Sequence, residues 1–231
     1  MKPTLSPELI AALQAIDACT LANVIELFQV RLRNEGFADG SIRAVFPVLP
    51  PVVGNAVTVQ VRGASPPVRG RSYLDRTDWL EYVQSVPNPR IVVVQDISTE
   101  PGQGAFLGEV HLHILRALGC TGAITNGSVR DLNAVEAMRF PLFAGSVSVS
   151  HAYVHIVKIG GPVEVGGLTV ESGALLHADR HGVQTLPPDI VALIPERAER
   201  LKARESALIA LCQEPNFSVA KLRAALADEG V

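Results

Sequence analysis

Two short segments of this sequence place glycine, polar and charged residues at predicted junctions between a strand and a helix. The first junction is a glycine-rich loop, residues 102–108, that leads into Glu109-Val110-His111 at a predicted helix start. Backbone N–H groups at a helix N-terminus have no partner within the helix, and the helix dipole favours negative charge there. The first junction therefore predicts a cradle for a carboxylate or phosphate group.

The second junction is the segment NGSVRD, residues 126–131, which predicts a turn at Asn126-Gly127 followed by a helix. Arg130 can bind a planar carboxylate or an oxyanion through its guanidinium fork. Asp131 is a hard oxygen ligand that suits magnesium or manganese. A purely structural alternative stays open, in which Asp131 caps the next helix and Arg130 pairs with an acid.

The elements around these junctions predict how the two are brought together. Apolar strands alternate with helices, in the order strand, helix, strand, helix, strand, over residues 90–96, 109–118, 121–125, 132–138 and 141–144. This alternation predicts right-handed crossovers and a parallel sheet. In such a sheet ligands bind beyond the carboxyl ends of the strands, so both junctions are expected at one edge.

The flanking segments predict further helices and a second kind of sheet. Helices are predicted from Ser6-Pro7 onward, and over residues 20–32, 77–86, 188–213 and 218–226. A strand is predicted around residues 57–61, a loop over 63–70, and short antiparallel segments over 153–160, 162–165, 168–170, 174–179 and 182–186. The fold class is therefore α/β, with a parallel sheet, an antiparallel sheet and flanking helices in layers. One domain is predicted over residues 1–231, with N-terminal helices at 6–32 and a C-terminal helical tail at 188–228.

Composition narrows the classes of function. The chain has 231 residues, of which 48% are hydrophobic and 19% charged, which excludes a disordered or collagen-like protein. The net charge is −3 and no basic block is present, which argues against nucleic acid as a ligand. No apolar run reaches the roughly 18 residues of a membrane helix, and no signal peptide is evident, so a cytoplasmic protein without membrane contact is predicted. Cys19, Cys120 and Cys212 are predicted to be reduced core thiols.

Residues 122–148 and 162–187 resemble the family that contains the 4-hydroxy-4-methyl-2-oxoglutarate aldolases and the RraA-type regulators of RNase E. The most specific element is an acid, then twenty residues, then Arg-Asp, which here are Glu109, Arg130 and Asp131. The likeness extends from the TLANVIE segment at residues 20–26 to the closing helix. It implies a layered β/β/α fold of the swivelling-domain type, assembled as a homotrimer or a hexamer with sites at subunit boundaries.

The resemblance also implies roles for individual residues. Asp131 would bind a divalent metal, Mg²⁺ or Mn²⁺, whose other ligands are mostly waters, and Arg130 would hold the keto oxygen and carboxylate of the substrate. Glu109 would orient or deprotonate a water of the metal. Backbone amides for a pyruvate-like carboxylate would come from Gly108, Glu109, Val110 and His111. An acid from a neighbouring subunit's terminal helix would complete the site, and Glu205 is the nearest candidate.

These roles describe one mechanism, that of a class II pyruvate aldolase. Cleavage of a 4-hydroxy-2-oxo acid leaves a pyruvate enolate, whose oxyanion the metal and Arg130 would stabilise. The same enolate forms when oxaloacetate loses carbon dioxide, so oxaloacetate decarboxylation is an expected side activity. The predicted enzyme is a carbon–carbon lyase acting on a small 2-oxo acid.

Two other classes stay open. A non-catalytic regulator that binds a ribonuclease would need no metal site, and the intact set of Glu109, Arg130 and Asp131 argues against it without excluding it. A menaquinone methyltransferase is the third class. It is the weakest, because the sequence has no glycine-rich cofactor motif followed by an acidic ribose ligand.

We also make predictions for several other residues near the matched segments. A histidine-rich site could bind a transition metal directly. The surface or a subunit interface is the favoured place for His113, His155 and His177, whereas His111 is expected near the ligand. Asn126 stands where many relatives have aspartate, close to the expected metal. Asp179 and Gly182 are predicted turn residues that support a subunit contact.

Overall fold

The computed structural model describes residues 6–67 and 76–227. Its helices are α1 (Pro7–Gln14), α2 (Ala18–Leu27), α3 (Thr77–Ser85), α4 (Glu109–Ala117), α5 (Leu132–Ala137), α6 (Ile194–Cys212) and α7 (Val219–Ala227). Its strands are β1 (Arg43–Ala44), β2 (Val52–Arg62), β3 (Arg90–Asp96), β4 (Ala105–Leu107), β5 (Cys120–Val129), β6 (Leu142–Val147), β7 (His155–Ile159), β8 (Val163–Val165), β9 (Leu168–Val170), β10 (Leu175–Asp179) and β11 (Gly182–Thr185). The predicted loop at 63–70 lies partly outside the described residues.

A mixed sheet forms the centre of the molecule. Strands β2, β3, β5 and β6 are parallel neighbours, as the alternation of strands and helices predicts. The short segments after residue 145 are antiparallel, but β7, β10 and β11 join this main sheet instead of forming a second one. Only β8 and β9 pair separately among the described strands, as a small antiparallel hairpin.

The sheet lies between two layers, because its central strands are buried on both faces. On β3, Val92 and Val94 pack with the residues of α3, α4 and α5 in one apolar cluster. Ile91 and Val93 point to the opposite face and pack against β8 and β9. The arrangement is the layered α/β fold with a small antiparallel sheet that the sequence predicts. A single domain over the whole chain stays a prediction.

The N-terminal helices pack with α6 in a third apolar cluster, which includes Val53 of β2 and Leu175 of β10. Ser6 caps α1 by accepting a hydrogen bond from the Leu9 N–H at 3.2 Å. The second helix is shorter than the predicted span 20–32. It ends at Leu27 because Gln29 adopts a left-handed backbone with φ 53°, which the helix cannot continue through.

The predicted turn at Asn126-Gly127 is wrong, since β5 continues through it to Val129. The Asn126 side chain pairs with the backbone of Asp96 at the end of β3, with its Oδ1 accepting at 2.7 Å and its Nδ2 donating at 3.0 Å. These bonds hold the two strands together where a bulge interrupts the ladder with β6. Both polar groups of the Asn126 side chain therefore stabilise the pairing of β5 with β3.

The expectation of core cysteines holds for Cys120 alone. All three cysteines are free thiols, but Cys19, in the first turn of α2, and Cys212, at the end of α6, are exposed. No single helix in the described ranges is long and apolar enough to cross a membrane. Only α1 and α2 taken together pass by length and composition, and the chain bends by 107° between them.

Candidate functional site

The two predicted junctions lie side by side at the carboxyl end of β5. Strand β4 pairs with the last residues of β5, and the Arg130 N–H donates to the Leu107 carbonyl at 3.0 Å. Helix α4 then begins at Glu109, with Gly108 as its N-cap. The short β4, which the sequence does not predict within its glycine-rich loop, is the element that brings the start of α4 next to Arg130 and Asp131.

The carboxylate of Asp131 is held between the two junctions. Its Oδ2 accepts a hydrogen bond from the Glu109 N–H at 3.0 Å, and its Oδ1 accepts from Arg130 Nε at 3.1 Å. Asp131 thus caps α4 and makes no side-chain cap bond to its own helix α5. The structural alternative is wrong in its first part and right in its second, because Arg130 does pair with an acid, its neighbour Asp131.

The backbone of Asp131 is in the left-handed region, with φ 59°. Aspartate tolerates this region better than most residues, but the conformation still costs free energy and is concentrated at functional sites. Here the two hydrogen bonds to the carboxylate hold the residue in place. The conformation is therefore fixed by the same contacts that position the side chain.

Gly108 makes room for this carboxylate. A methyl group added at Gly108 would lie 2.6 Å from Asp131 Oδ2 and 2.9 Å from Arg130 Cγ. The Gly108 backbone is extended, with φ −145°, so any residue could adopt it. The glycine is therefore required for space and not for backbone freedom.

The surroundings of Asp131 favour its charged form. Burial pushes the pKa of this carboxyl upward. The Glu109 N–H, the Arg130 guanidinium and the charge of His151 outweigh that effect, so the pKa lies below its usual value. Asp131 is thus a carboxylate at neutral pH, as a ligand for a hard cation must be.

A cavity of about 450 Å³ opens in front of this carboxylate. It is lined by Glu109, Asp131, Leu132, Asn133 and Ala134. Each oxygen of Asp131 makes one hydrogen bond and keeps a lone pair, and the exposed Glu109 adds a second carboxylate at the rim. The donor set is made of hard oxygens with room for waters, which fits Mg²⁺ or Mn²⁺.

His111 does not face this cavity with its side chain. The imidazole is buried, with Nδ1 donating to the Phe106 carbonyl at 3.2 Å and Nε2 accepting from Trp79 Nε1 at 3.3 Å. It also lies edge-on to the Phe106 ring, with centroids 4.6 Å apart. The first turn of α4 directs the side chain into the core, so the expected place of His111 near the ligand depends on its backbone alone. Its backbone remains at the start of the helix.

The burial of His111 predicts a pH-dependent stability. Desolvation lowers the pKa of His111 from 6.5 to about 4, despite the Phe106 carbonyl. Between these values the unfolded chain binds a proton that the folded chain does not, so the free energy of unfolding falls as pH is lowered. We expect a loss of about 2 kcal/mol between pH 6.5 and 5. Burial lowers the pKa of His177 as well, which acts in the same direction.

Urea unfolding at several pH values measures this effect. The variant His111→Phe should show a shallower dependence of unfolding free energy on pH, whereas His113→Gln, at an exposed position of the same helix, should keep the native slope. Equal slopes in the native protein and in His111→Phe would contradict the assignment.

His151, one of two histidines with no predicted place, lies beside the site. Its Nδ1 donates to the Ala105 carbonyl in β4 at 2.8 Å, and its charge acts on Asp131. It follows β6 in the chain, so no local pattern connects it with the strand end that carries Asp131. Only the parallel neighbourhood of β5 and β6 could have indicated it.

The remaining candidates lie elsewhere. Glu205 is on α6, which packs against α1 and α2, and its contribution to a neighbouring subunit's site stays a prediction. His113 is exposed and His155 is partly exposed. His177 is completely buried, with Nε2 against the Ile16 carbonyl at 3.0 Å, so its expected surface position is wrong.

A second cavity of similar size, about 460 Å³, lies near the amino ends of the parallel strands. It is bordered by Asn55, which is opposite the first residue of β3, and by Arg31 and Glu171. Arg31 is engaged there, because its Nη1 donates to the carbonyl and hydroxyl of Thr185 at 3.0 and 2.9 Å. Since ligands of open parallel sheets bind at the carboxyl ends, the cavity in front of Asp131 is the better candidate.

Comparison with known proteins finds a matching family. The model of the RraA-like family, described as Aldolase/RraA, matches residues 17–184. A protein of Halalkalibacterium halodurans named "Putative 4-hydroxy-4-methyl-2-oxoglutarate aldolase" is 28% identical over 104 residues, which are 45% of this chain and 50% of that protein. The chain therefore matches only half the length of this relative.

Solved structures show the same fold. An uncharacterized protein from Pseudomonas syringae pv. tomato superposes with a TM-score of 0.74 at 19% identity, covering 99% of this chain and 97% of that one. RraAS2 of Streptomyces coelicolor, described as an unusual member of the RNase ES inhibitor RraA protein family, superposes with a TM-score of 0.69 at 20% identity. That match covers 88% of this chain and 96% of the other.

Proposed function

Because this chain belongs to the RraA-like family, which includes both aldolases and ribonuclease regulators, we propose that its site is that of an enzyme. The proposed activity is the divalent-metal-dependent cleavage of 4-hydroxy-2-oxo acids, of the 4-hydroxy-4-methyl-2-oxoglutarate type, to pyruvate. The observation that carries it is the Asp131 carboxylate, held between Arg130 and the first amide of α4 and open to a cavity that Glu109 shares.

Arg130 is the proposed stabiliser of the enolate. Its Nε is used by Asp131, while its terminal nitrogens have no acceptor among the described residues, and its side chain is 29% exposed. Those two terminal groups can donate to the 2-oxo oxygen and the carboxylate of the substrate. As the bond between C3 and C4 breaks, charge grows on that oxygen, and the donation becomes stronger in the transition state.

Asp131, with Glu109 as its neighbour, would hold the divalent cation. When bound, the cation would supply Lewis-acid stabilisation of the same oxyanion. Glu109 is placed at the rim of the cavity, where it can align a water that takes the proton of the 4-hydroxyl group. The first-turn amides of α4 at Val110 and His111 are the proposed contacts for the substrate carboxylate.

We also propose that the sites lie at subunit boundaries of a homotrimer or hexamer. Apolar side chains are exposed in β6 and the loop after it, close to His151: Val147 at 58%, Val149 at 94% and Tyr153 at 57%. Exposed apolar patches of this kind favour contacts between proteins. The same boundary would be the place where Glu205 of a neighbouring subunit contributes.

Removal of divalent metal tests the proposed chemistry directly. Exhaustive treatment with EDTA should reduce pyruvate release to the background rate, and added Mg²⁺ or Mn²⁺ should restore it. The measurement is an assay coupled to lactate dehydrogenase, with 4-hydroxy-4-methyl-2-oxoglutarate and oxaloacetate as substrates. Full activity after EDTA would rule out the metal-dependent mechanism. A protein that releases no pyruvate from either acid, with or without metal, would favour the regulator class.

A further inference from the structure

A second cluster of ligand-type side chains lies where residues 15–19, the link that runs from the end of α1 into the first turn of α2, cross the hairpin of β10 and β11. Two side chains of the hairpin bind this link directly. The Ala18 N–H donates to Asp179 Oδ2 at 2.8 Å, and Gln184 Nε2 donates to the Ala18 carbonyl at 2.8 Å. The link is thus held on the hairpin by buried hydrogen bonds, which makes the position of the neighbouring residues well defined.

On this link, Asp17 and Cys19 face His181 of the hairpin turn. One carboxylate oxygen, the thiol sulfur and one ring nitrogen all lie within 4.8 Å of one another. Cys19 and His181 also line a cavity of about 300 Å³, and both are exposed. We propose that Asp17, Cys19 and His181 form a zinc site, separate from the cavity in front of Asp131.

The orientation of His181 supports this assignment. Its Nδ1 lies 3.2 and 3.4 Å from the two oxygens of Asp179, which is almost completely buried. With Nδ1–H donating to Asp179, the lone pair for a metal is on Nε2. A histidine ligand that donates its other ring N–H to a carboxylate is the usual arrangement in zinc proteins.

The charge around the cluster is unbalanced. Neither Asp17 nor Asp179 forms an ion pair with lysine or arginine in the part of the chain that the structure describes. Arg33, which borders the same cavity, pairs with Glu26 at 3.5 Å. A divalent cation would compensate the charges of Asp17 and Asp179.

Two buried side-chain acceptors lie on β10 and β11, the hairpin that carries His181 in its turn. His177 is completely buried, and because its Nε2 donates to the Ile16 carbonyl, its Nδ1 is an acceptor. This Nδ1 and Oε1 of Gln184, its partner across the hairpin, have no hydrogen-bond partner among the described residues. Through their other polar atoms both side chains bind the link that carries Asp17 and Cys19, at the carbonyls of Ile16 and Ala18.

The donor set selects the metal. A thiolate, an imidazole and a carboxylate suit a borderline-soft cation such as Zn²⁺, whereas the oxygen donors at Asp131 suit Mg²⁺. Three protein ligands leave one position for a water in a tetrahedral zinc site. Bound zinc would join the α1–α2 link to the β10–β11 hairpin, so we expect it to stabilise the fold.

Cobalt substitution tests the proposal, because a thiolate ligand gives Co²⁺ a charge-transfer absorption in the near ultraviolet. The full chain loaded with Co²⁺ should show this band, and Zn²⁺ should displace it and raise Tm. The variants Cys19→Ser and His181→Gln should bind Zn²⁺ at least about tenfold more weakly in competition with a chromophoric chelator. The matched controls Cys212→Ser and His113→Gln change exposed residues of the same types and should bind as the native chain does.

A native chain without the charge-transfer band would overturn the site, and so would a band that survives in Cys19→Ser. The variant Asp131→Asn separates this proposal from the proposed enzyme, since it should lose pyruvate release and keep the cobalt band. Conversely, a missing band together with metal-dependent pyruvate release would reject the zinc site alone.

Discussion

Replacing Arg130 with alanine should lower kcat for pyruvate release by about 10²- to 10³-fold, which is the usual effect of removing one oxyanion donor. The guanidinium is the group best placed to follow the charge that develops on the 2-oxo oxygen. Its removal also takes a cation from Asp131, with which it pairs at 3.1 Å. The coupled pyruvate assay at saturating Mg²⁺ measures the loss, and Arg130→Lys should recover only part of it because lysine has no planar fork.

The fold should survive this change. The Arg130 backbone N–H, which donates to the Leu107 carbonyl, remains, and the lost side chain is partly exposed. A suitable control is Arg200→Ala, since Arg200 also pairs with an acid, Glu196, but both side chains are 67% exposed on α6. Such exposed pairs contribute little, so the control should keep full activity. Native activity in Arg130→Ala would remove Arg130 from the mechanism.

How far the sequence predicts this site depends on how local each contact is. The start of α4 and the charged pair Arg130-Asp131 follow from short patterns, and the parallel order of the strands predicts that they meet. The sequence predicts a turn at Asn126-Gly127 because this dipeptide usually forms turns. It fails because Asn126 pairs with the backbone of Asp96, thirty positions earlier, and that contact is visible only in the sheet.

The buried histidines show a second limit. His111 and Leu115 are four residues apart, so helical spacing places His111 on the same face as an apolar residue. The sequence analysis instead expects His111 near the ligand, because it lies in the segment that would bind the carboxylate. A single distant donor, Trp79 Nε1, together with the Phe106 carbonyl, satisfies both ring nitrogens and makes burial tolerable.

Short sequence patterns cannot predict a site that is assembled from segments far apart in the chain. Asp17 and Cys19 precede His181 by more than 160 positions, and only the hydrogen bonds of the α1–α2 link to β10 and β11 bring them together. His151 reaches the surroundings of Asp131 in the same way, through the pairing of β5 with β6. The sequence shows which residue types are present, but it does not show which of them are close together in space.

Gly108→Ala should reduce kcat by about 10²-fold, although it alters no charged or polar side chain, because a misplacement of about 1 Å in a catalytic site can cost that much. The added Cβ would lie 2.6 Å from Asp131 Oδ2, closer than such atoms approach in proteins. The carboxylate must therefore move away from α4. It would then lose the bond from the Glu109 N–H and its alignment with Arg130.

The same displacement should weaken metal activation, so the Mg²⁺ concentration that gives half-maximal activity should rise along with the fall in kcat. Stability should change by only about 1 kcal/mol, the usual contribution of a helix cap. Gly40→Ala is the matched control, because a methyl group there meets nothing within 4 Å. If Gly108→Ala keeps both the native kcat and the native Mg²⁺ dependence, the position of the Asp131 carboxylate does not govern the reaction. We would then have to abandon the proposal that Asp131 binds the cation, even if Arg130 proved essential.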